Sequence, residues 1–204
     1  MPILARIVGY HRDELSLQGR MIYAEAAAIT FLRIQQTCGT MSQPTDRKRE
    51  MQQFTLQAIG RVGSTRREAN DDNWDRERSV VVLDREVFAP QATNGLEAFS
   101  HVEIIYLFDQ VPDGAIETGA RRPRNNPDWP EVGIVAQRGK NRPNRIGATV
   151  CRLLSVDGLT IQVAGLDAID GTPVLDVKPV LSGFLPRSEV IEPAWAKEIM
   201  ANYW

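Results

Sequence analysis

The chain has 204 residues, of which 43% are hydrophobic and 25% charged, and its formal net charge is −2. This composition is typical of a globular protein of one or two domains, and no apolar run reaches the ~18–20 residues of a membrane span. Because positive and negative charges nearly balance, the net charge of the protein does not attract nucleic acid, and any nucleic-acid binding requires a local basic patch. With two cysteines and two histidines, we expect a cytoplasmic protein that has neither a disulfide framework nor a metal site.

The first quarter of the chain differs from the rest. Residues 20–36 are rich in alanine and favour a helix. Glu25 lies inside this run and argues against a secretory signal peptide, whose apolar segment should be uncharged. Residues 40–53 are polar and typical of a linker. Two interpretations of residues 1–53 stay open: an unstructured extension that is not part of the native protein, and a helical appendage.

From residue 54 onward the sequence predicts β-structure. Residues 102–108 are almost continuously apolar, which favours a strand buried on both faces. Asp157 and Gly158 separate two apolar runs and predict a β-hairpin. Seven strands at short spacing favour a mostly-β fold, a single small barrel of about seven strands within residues 54–187. The predicted strands are residues 54–62, 78–83, 102–108, 133–136, 146–156, 159–163 and 174–180.

The C-terminal segment, residues 188–204, predicts a short helix that Pro193 opens, because proline is tolerated at the first helical position. Its apolar residues form one stripe, so we expect the segment to dock on the barrel or on a partner subunit. The stripe consists of Trp195, Ile199, Met200 and Tyr203.

Two loops of opposite charge flank the predicted hairpin. Residues 137–145 form a cationic loop, and residues 165–173 form an anionic loop that contains Asp167 and Asp170. Because one hairpin joins them, they can lie at the same end of a sheet and bind a ligand that carries both charges. A basic patch for RNA is also available between residues 121 and 145. Its candidate contacts are Arg121, Arg122, Arg124, Lys140 and Arg145.

Three motifs in one order resemble the TsaA-like family, the TrmO-type tRNA methyltransferases. The pattern R-x-x-x-R-P-N-x-I-G begins at Arg138, and G-L-D-x-x-D-G-T-P-V-L-D-x-K-P begins at Gly165. The run from Gly95 to His101 resembles a third family motif. The resemblance covers residues 54–187. It implies a methyltransferase that uses S-adenosylmethionine, methylates N6 of threonylcarbamoyladenosine beside the tRNA anticodon, and forms a homodimer.

The resemblance also implies which side chains bind the cofactor. The planar guanidinium of Arg138 suits the methionine carboxylate, and the carboxylates of Asp167 and Asp170 suit the ribose hydroxyls or the sulfonium. Asp109 departs from the His-Gln pair that is usual in the family, whereas Gln110 matches it. The full predicted set is Arg138, Gln110, Asp167, Asp170, Arg142, Asn144 and Trp74, with Trp74 stacking on the purine.

Simpler interpretations of several of these residues stay open. Asp170 precedes glycine and suits a tight turn, and Trp74 lies in a charged loop. No residue is identified as a general base. Two further functions also stay open: a methyltransferase acting on another RNA or a small molecule, and a non-catalytic barrel that binds a nucleotide or RNA.

Overall fold

The computed structural model describes residues 52–204, so the predictions for the N-terminal segment up to residue 51 lie outside the described residues. Every strand pairing in the described part is antiparallel. Six strands close into a barrel, and two short strands pair separately. The barrel strands are β1 (Gly60–Gly63), β2 (Arg78–Leu83), β3 (His101–Leu107), β6 (Ile146–Asp157), β7 (Thr160–Ala164) and β8 (Pro173–Pro179). The separate ribbon consists of β4 (Ala120–Arg121) and β5 (Val132–Gly133), and the helix α1 spans Ala194–Met200.

The prediction of a small, mostly-β barrel is confirmed, with the strand order β1-β2-β7-β6-β3-β8. The barrel has six strands and not seven, because the predicted strand at residues 133–136 is not part of it, and the first predicted strand is shorter than expected. The first predicted strand begins at Gly60 instead of Phe54, whose side chain is 75% exposed and has no barrel face to pack on. Residues 133–136 were predicted as a strand, but only Gly133 is in one. Ile134–Ala136 forms a 3-10 turn instead.

The barrel interior is filled by alternate residues of each strand. In β3 the buried residues are Val102, Ile104 and Tyr106, and the residues between them are only partly buried. The prediction that this strand is buried on both faces is therefore wrong. In a closed barrel without covering helices, one face of each strand packs inward and the other meets solvent.

The hairpin between β6 and β7 forms where Asp157 and Gly158 predicted it. Asp157 pairs with Thr160, and Gly158 has a φ of 53°, the left-handed conformation that glycine adopts without a steric cost. This hairpin is the physical link between the cationic loop before β6 and the anionic loop after β7.

The C-terminal residues return to the barrel. Pro193 caps α1 from just outside the helix, where its missing N–H is not needed. Beyond the helix, the carbonyls of Asn202 and Tyr203 accept hydrogen bonds from the backbone N–H groups of Asn73 and Trp74, each at 2.9 Å. No helix among residues 52–204 has the length and apolarity needed to cross a membrane.

Candidate functional site

Three long connections meet at one end of the barrel. They are residues 64–77 between β1 and β2, residues 108–145 between β3 and β6, and residues 165–172 between β7 and β8. The register places them together because β3 ends where β6 and β8 begin, and β1 ends beside the starts of β2 and β8. The cationic and anionic loops therefore lie at the same end of the barrel, as their separation by one hairpin predicted.

Arg138 lies in the cationic loop with an exposed side chain. Its Nη2 donates a hydrogen bond of 2.8 Å to the carbonyl oxygen of Ala148 on β6. This bond holds the guanidinium against the barrel wall. The other N–H groups of the fork make no hydrogen bond to any residue between 52 and 204, so they are available to a carboxylate or phosphate.

Asp167 lies in the anionic loop, and the barrel interior holds its backbone. The buried Tyr106 hydroxyl donates a 2.7 Å hydrogen bond to the Asp167 carbonyl oxygen and lies 3.1 Å from the hydroxyl oxygen of Thr149. The Asp167 carboxylate accepts a hydrogen bond from the hydroxyl of Tyr203. A side chain of the C-terminal tail thus reaches into the loop that the motif marks as functional.

Burial raises the pKa of Asp167 above its ordinary value. The hydroxyls of Tyr203 and Tyr106 and the positive charge of Arg138 act on that pKa in the opposite direction. Arg138 is therefore close enough to influence the Asp167 carboxylate electrostatically. The same negative charge, added to burial, raises the pKa values of Tyr106 and Tyr203, so both tyrosines stay protonated as donors.

Other predicted cofactor residues lie at the same end but are bonded within the protein. Arg142 Nη1 donates to the carbonyl oxygens of Ile134 (3.2 Å) and Gln137 (2.6 Å), which closes the cationic loop on itself. Asp170 accepts a 3.1 Å hydrogen bond from the backbone N–H of Ser64 and precedes Gly171, whose φ is 81°. The Asp170 contact matches the simpler, tight-turn interpretation of that residue, and the Arg142 bonds stabilise its own loop. The side chains of Asn144 and Gln110 are exposed at this end.

Trp74 does not offer a free ring. Its side chain is only 3% exposed, and the guanidinium carbon of Arg66 lies 3.9 Å from the ring centroid. The prediction that Trp74 stacks on a purine does not fit this burial. Its ring instead anchors the loop of residues 64–77, to which the C-terminal tail is bonded.

Most of the arginines predicted to contact RNA are already paired. Arg124 bonds Asp72 at 2.8 Å, Arg145 pairs with Asp113, and Arg122 donates to the carbonyl oxygen of Trp129. Arg121 lies on β4 beside Gly139, with a buried Nε that has no partner within residues 52–204. Lys140 is half-buried in the cationic loop.

The part that sequence reasoning missed is Tyr203. Its place in an apolar stripe predicted docking, and its ring is half-buried. Nothing in a periodic apolar pattern signals that its hydroxyl will contact one particular carboxylate 36 residues away along the chain. In the sequence, Tyr203 differs from the other stripe residues only in lying next to the aromatic residue Trp204.

The chemistry of this end fits a ligand with a carboxylate and a positive charge. Arg138 presents free N–H donors, and the Asp167 carboxylate presents an acceptor whose charge is only partly compensated. Arg138 is held by a bond to the barrel strand β6 and the Asp167 carboxylate by a bond to Tyr203, so the two side chains lose little conformational freedom on binding. In the described part of the chain, no three His, Cys, Asp or Glu side chains are grouped so as to hold a metal ion.

The sequence is similar to those of known proteins. The family model for the tRNA-methyltransferase O N-terminal domain matches residues 69–184. The chain is 38% identical over 109 residues to a tRNA (adenine(37)-N6)-methyltransferase of Escherichia coli (strain K12), a match that covers 52% of the chain and 44% of that protein. It is 35% identical over 103 residues to a putative S-adenosylmethionine-dependent methyltransferase of Pseudomonas aeruginosa, which covers 50% of the chain and 41% of the relative.

The fold also matches a solved structure. A crystal structure of TrmO from Pseudomonas aeruginosa has a TM-score of 0.56 and 27% sequence identity, covering 69% of this chain and 62% of that one. The chain thus spans less than half the length of the two sequence relatives and under two thirds of the solved structure.

Proposed function

The chain belongs to the TrmO family of tRNA methyltransferases, and on that basis we propose that it transfers a methyl group from S-adenosylmethionine to N6 of an adenosine in tRNA. The observation that carries the proposal is the position of Arg138 and Asp167. The two side chains bear opposite charges and lie in loops that meet at one end of the barrel, and the charge of Arg138 opposes the burial that raises the pKa of Asp167.

S-adenosylmethionine, when bound, supplies a methyl group on a sulfonium, which is already a good leaving group. The protein therefore has to position the methyl donor and the acceptor, and it does not have to form a covalent intermediate. The guanidinium of Arg138 would hold the methionine carboxylate, because a planar fork can donate two parallel hydrogen bonds. The carboxylate of Asp167 would hold the ribose hydroxyls or lie beside the positive charge. Alignment of this kind is a large part of the rate enhancement of a two-substrate reaction.

No catalytic residue is assigned. Asp167 and Asp170 are candidates to accept the proton of N6, and burial raises the pKa of Asp167, which suits a general base. Asp170 is committed to the backbone N–H of Ser64. Comparison of kcat for Asp167→Asn and Asp170→Asn, measured at saturating cofactor, shows which of the two carboxylates accepts the proton.

The cofactor half of the proposal is tested by calorimetry on the whole chain. We expect the wild type to bind S-adenosylmethionine and Arg138→Ala to bind it about 10–100-fold less tightly, the range for hydrogen bonds between charged partners. Arg138→Lys should recover only part of the loss because lysine lacks the fork. Arg85→Ala, an exposed arginine beyond the other end of β2, is the matched control. A wild type that does not bind the cofactor at millimolar concentration would indicate a binding module instead.

We further propose that the acceptor is N6-threonylcarbamoyladenosine beside the anticodon. The family motifs support it, and the E. coli relative is named for adenine 37 of tRNA. Mass spectrometry of tRNA nucleosides, with and without the gene, should show the methylated threonylcarbamoyl nucleoside only when the gene is present. An unchanged level would leave another RNA or a small molecule as the acceptor.

We also propose a homodimer and a cytoplasmic location, the latter because tRNA is the substrate. The exposed apolar side chains of Phe184, Val190 and Ile191, in the segment between β8 and α1, support self-association. Sedimentation of the wild type should give the mass of two chains, and a Phe184→Ser, Ile191→Ser variant should give the mass of one. A wild type that sediments as one chain would contradict the dimer.

A further inference from the structure

A cavity of about 350 Å³ lies on the outer wall of the barrel, outside the Arg138–Asp167 pair. Its volume is within the range of ligand-binding pockets. Arg78, Arg152 and His101 line it, together with Val150 and the two small residues Ala164 and Gly165. The combination of cations and a small, partly apolar floor differs from an ordinary solvated barrel wall.

The strand register explains why the cations meet there. Ala164 on β7 pairs with Arg78 on β2 and with Arg152 on β6, and Arg152 pairs with His101 on β3. Residues directly opposite each other on neighbouring strands share one face. Four adjacent strands thus present one cationic row (Arg78 and Arg152, with His101 beside Arg152), and Ala164 leaves the space between the two arginines empty.

The cationic row lacks the counter-ions that the loop arginines have. Within residues 52–204 neither Arg78 nor Arg152 forms an ion pair, and Arg78 Nη1 donates only to the backbone carbonyl of Asp75, at 3.3 Å. Asp75 is the one carboxylate that lines the cavity. Arg78 and Arg152 lie on β2 and β6, on either side of β7, so one anion bound over Ala164 can contact both guanidinium groups.

The cavity adjoins the proposed cofactor site along two elements. Gly165 in its floor is two residues from Asp167, and Val150 is two residues from Ala148, the acceptor of the Arg138 hydrogen bond. Trp204 also lines the cavity, and it directly follows Tyr203, which bonds Asp167. A methyl acceptor has to lie beside the methyl donor, so this cavity is placed where the acceptor strand must pass.

We propose that this cavity binds the RNA strand next to the methylated nucleotide, an inference that rests on the proposed function. Arg78 and Arg152 hold a backbone phosphate over Ala164. Trp204, whose side chain is about half exposed, stacks on a neighbouring base. The earlier RNA candidates Arg122, Arg124 and Arg145 are bonded within the protein. Arg124 and Arg145 contribute less, because each is already paired with a carboxylate.

The test measures binding of a fluorescently labelled tRNA transcript to the full chain by anisotropy, over a series of salt concentrations. Arg78→Ala and Arg152→Ala should each weaken binding about tenfold or more. Each should also flatten the slope of log affinity against log salt by roughly 0.7–0.9, the effect of one lost phosphate contact. Trp204→Ala should weaken binding about fivefold or more and leave the slope unchanged, because stacking releases no counter-ions.

Arg85→Ala is the matched control and should bind tRNA like the wild type. Binding of S-adenosylmethionine, measured by calorimetry, should stay at the wild-type level in every cavity variant, which shows that each is folded. If Arg152→Ala does not fold, Arg152→Lys takes its place, since it keeps the charge and the salt slope but lacks the fork.

The outcomes separate this inference from the proposed function. If the wild type methylates tRNA, and Arg78→Ala and Arg152→Ala bind tRNA with the wild-type affinity and salt slope, the cavity is not the RNA site and only this inference is overturned. If the wild type binds the cofactor but no tRNA, the RNA part of the proposed function is overturned together with the inference.

Discussion

Substitution of Gly147 by alanine should damage the barrel and the site together. Gly147 pairs with Tyr106 across β6 and β3. A Cβ added at Gly147 would lie 2.5 Å from Cζ and 2.9 Å from Cδ2 of the Tyr106 ring, well inside van der Waals contact. The ring is fully buried and cannot move without displacing the core. Its hydroxyl, which bonds Asp167 and lies against Thr149, would move with it.

The expected loss of stability follows from these contacts. Overpacking of a core costs about 1–3 kcal/mol, and the two contacts of the Tyr106 hydroxyl contribute about 0.5–1.5 kcal/mol each. Gly147→Ala should therefore lower the free energy of unfolding by about 2–6 kcal/mol, a large part of the ~5–15 kcal/mol of a typical domain. Affinity for S-adenosylmethionine should fall as well, because Asp167 loses its support.

Guanidinium denaturation followed by circular dichroism measures the effect. Gly133→Ala is the control, because an added Cβ there meets no atom within 4 Å and the φ of Gly133, −58°, suits alanine. Tyr106→Phe removes the hydroxyl without introducing a clash, so it should lower the free energy of unfolding only by the contribution of the two hydroxyl contacts. If the free energies of unfolding of Gly147→Ala and the control differ by less than about 0.5 kcal/mol, the ring does not require glycine and the reasoning is refuted.

The remaining predictions concern Asp167. Because burial raises the pKa of Asp167, folding favours the protonated form of this side chain. Protonated Asp167 therefore contributes fully to stability below the unfolded-state pKa of about 3.9. This contribution is lost as the pH rises through the higher folded-state pKa. Asp167→Asn should abolish this loss, so the stability of the variant relative to wild type should increase with pH in the window between the two pKa values. If urea titrations give a stability difference that does not change with pH, the raised pKa of Asp167 is contradicted. Tyr203→Phe removes a hydrogen bond that lowers the pKa of Asp167, so the window should move to higher pH, and above it the variant should be about 1–2 kcal/mol less stable than wild type. Equal pH profiles for Tyr203→Phe and wild type would show that the tail does not act on Asp167.

Local signals in the sequence predicted most of the barrel. Asp157 and Gly158 predicted the hairpin because only a few residue pairs suit a tight turn between strands. The start of β1 and the turn at Ile134–Ala136 were predicted less well. An apolar run of four residues is compatible with a strand or a turn, and its packing partners decide which one forms.

The sequence predicted that the two charged loops meet, for a physical reason. Arg138 and Asp167 lie at one end because a single hairpin links their loops, and local sequence shows that link. The internal bonds of Arg124 and Arg145 and the burial of Trp74 depend on loops that meet in space but not in sequence. Charge in a sequence does not show whether a partner is already present.

The sequence by itself determined the class of fold and the turn that joins the two charged loops. Each of these follows from the backbone preferences and the periodicity of a few adjacent residues. Only the tertiary structure decided that the hydroxyl of Tyr203 meets Asp167, and that Arg78, Arg152 and His101 share one wall. The first depends on the backbone bonds of Asn202 and Tyr203 to Asn73 and Trp74. The second depends on the relative shift of the barrel strands, which is a property of the whole sheet and not of any one segment.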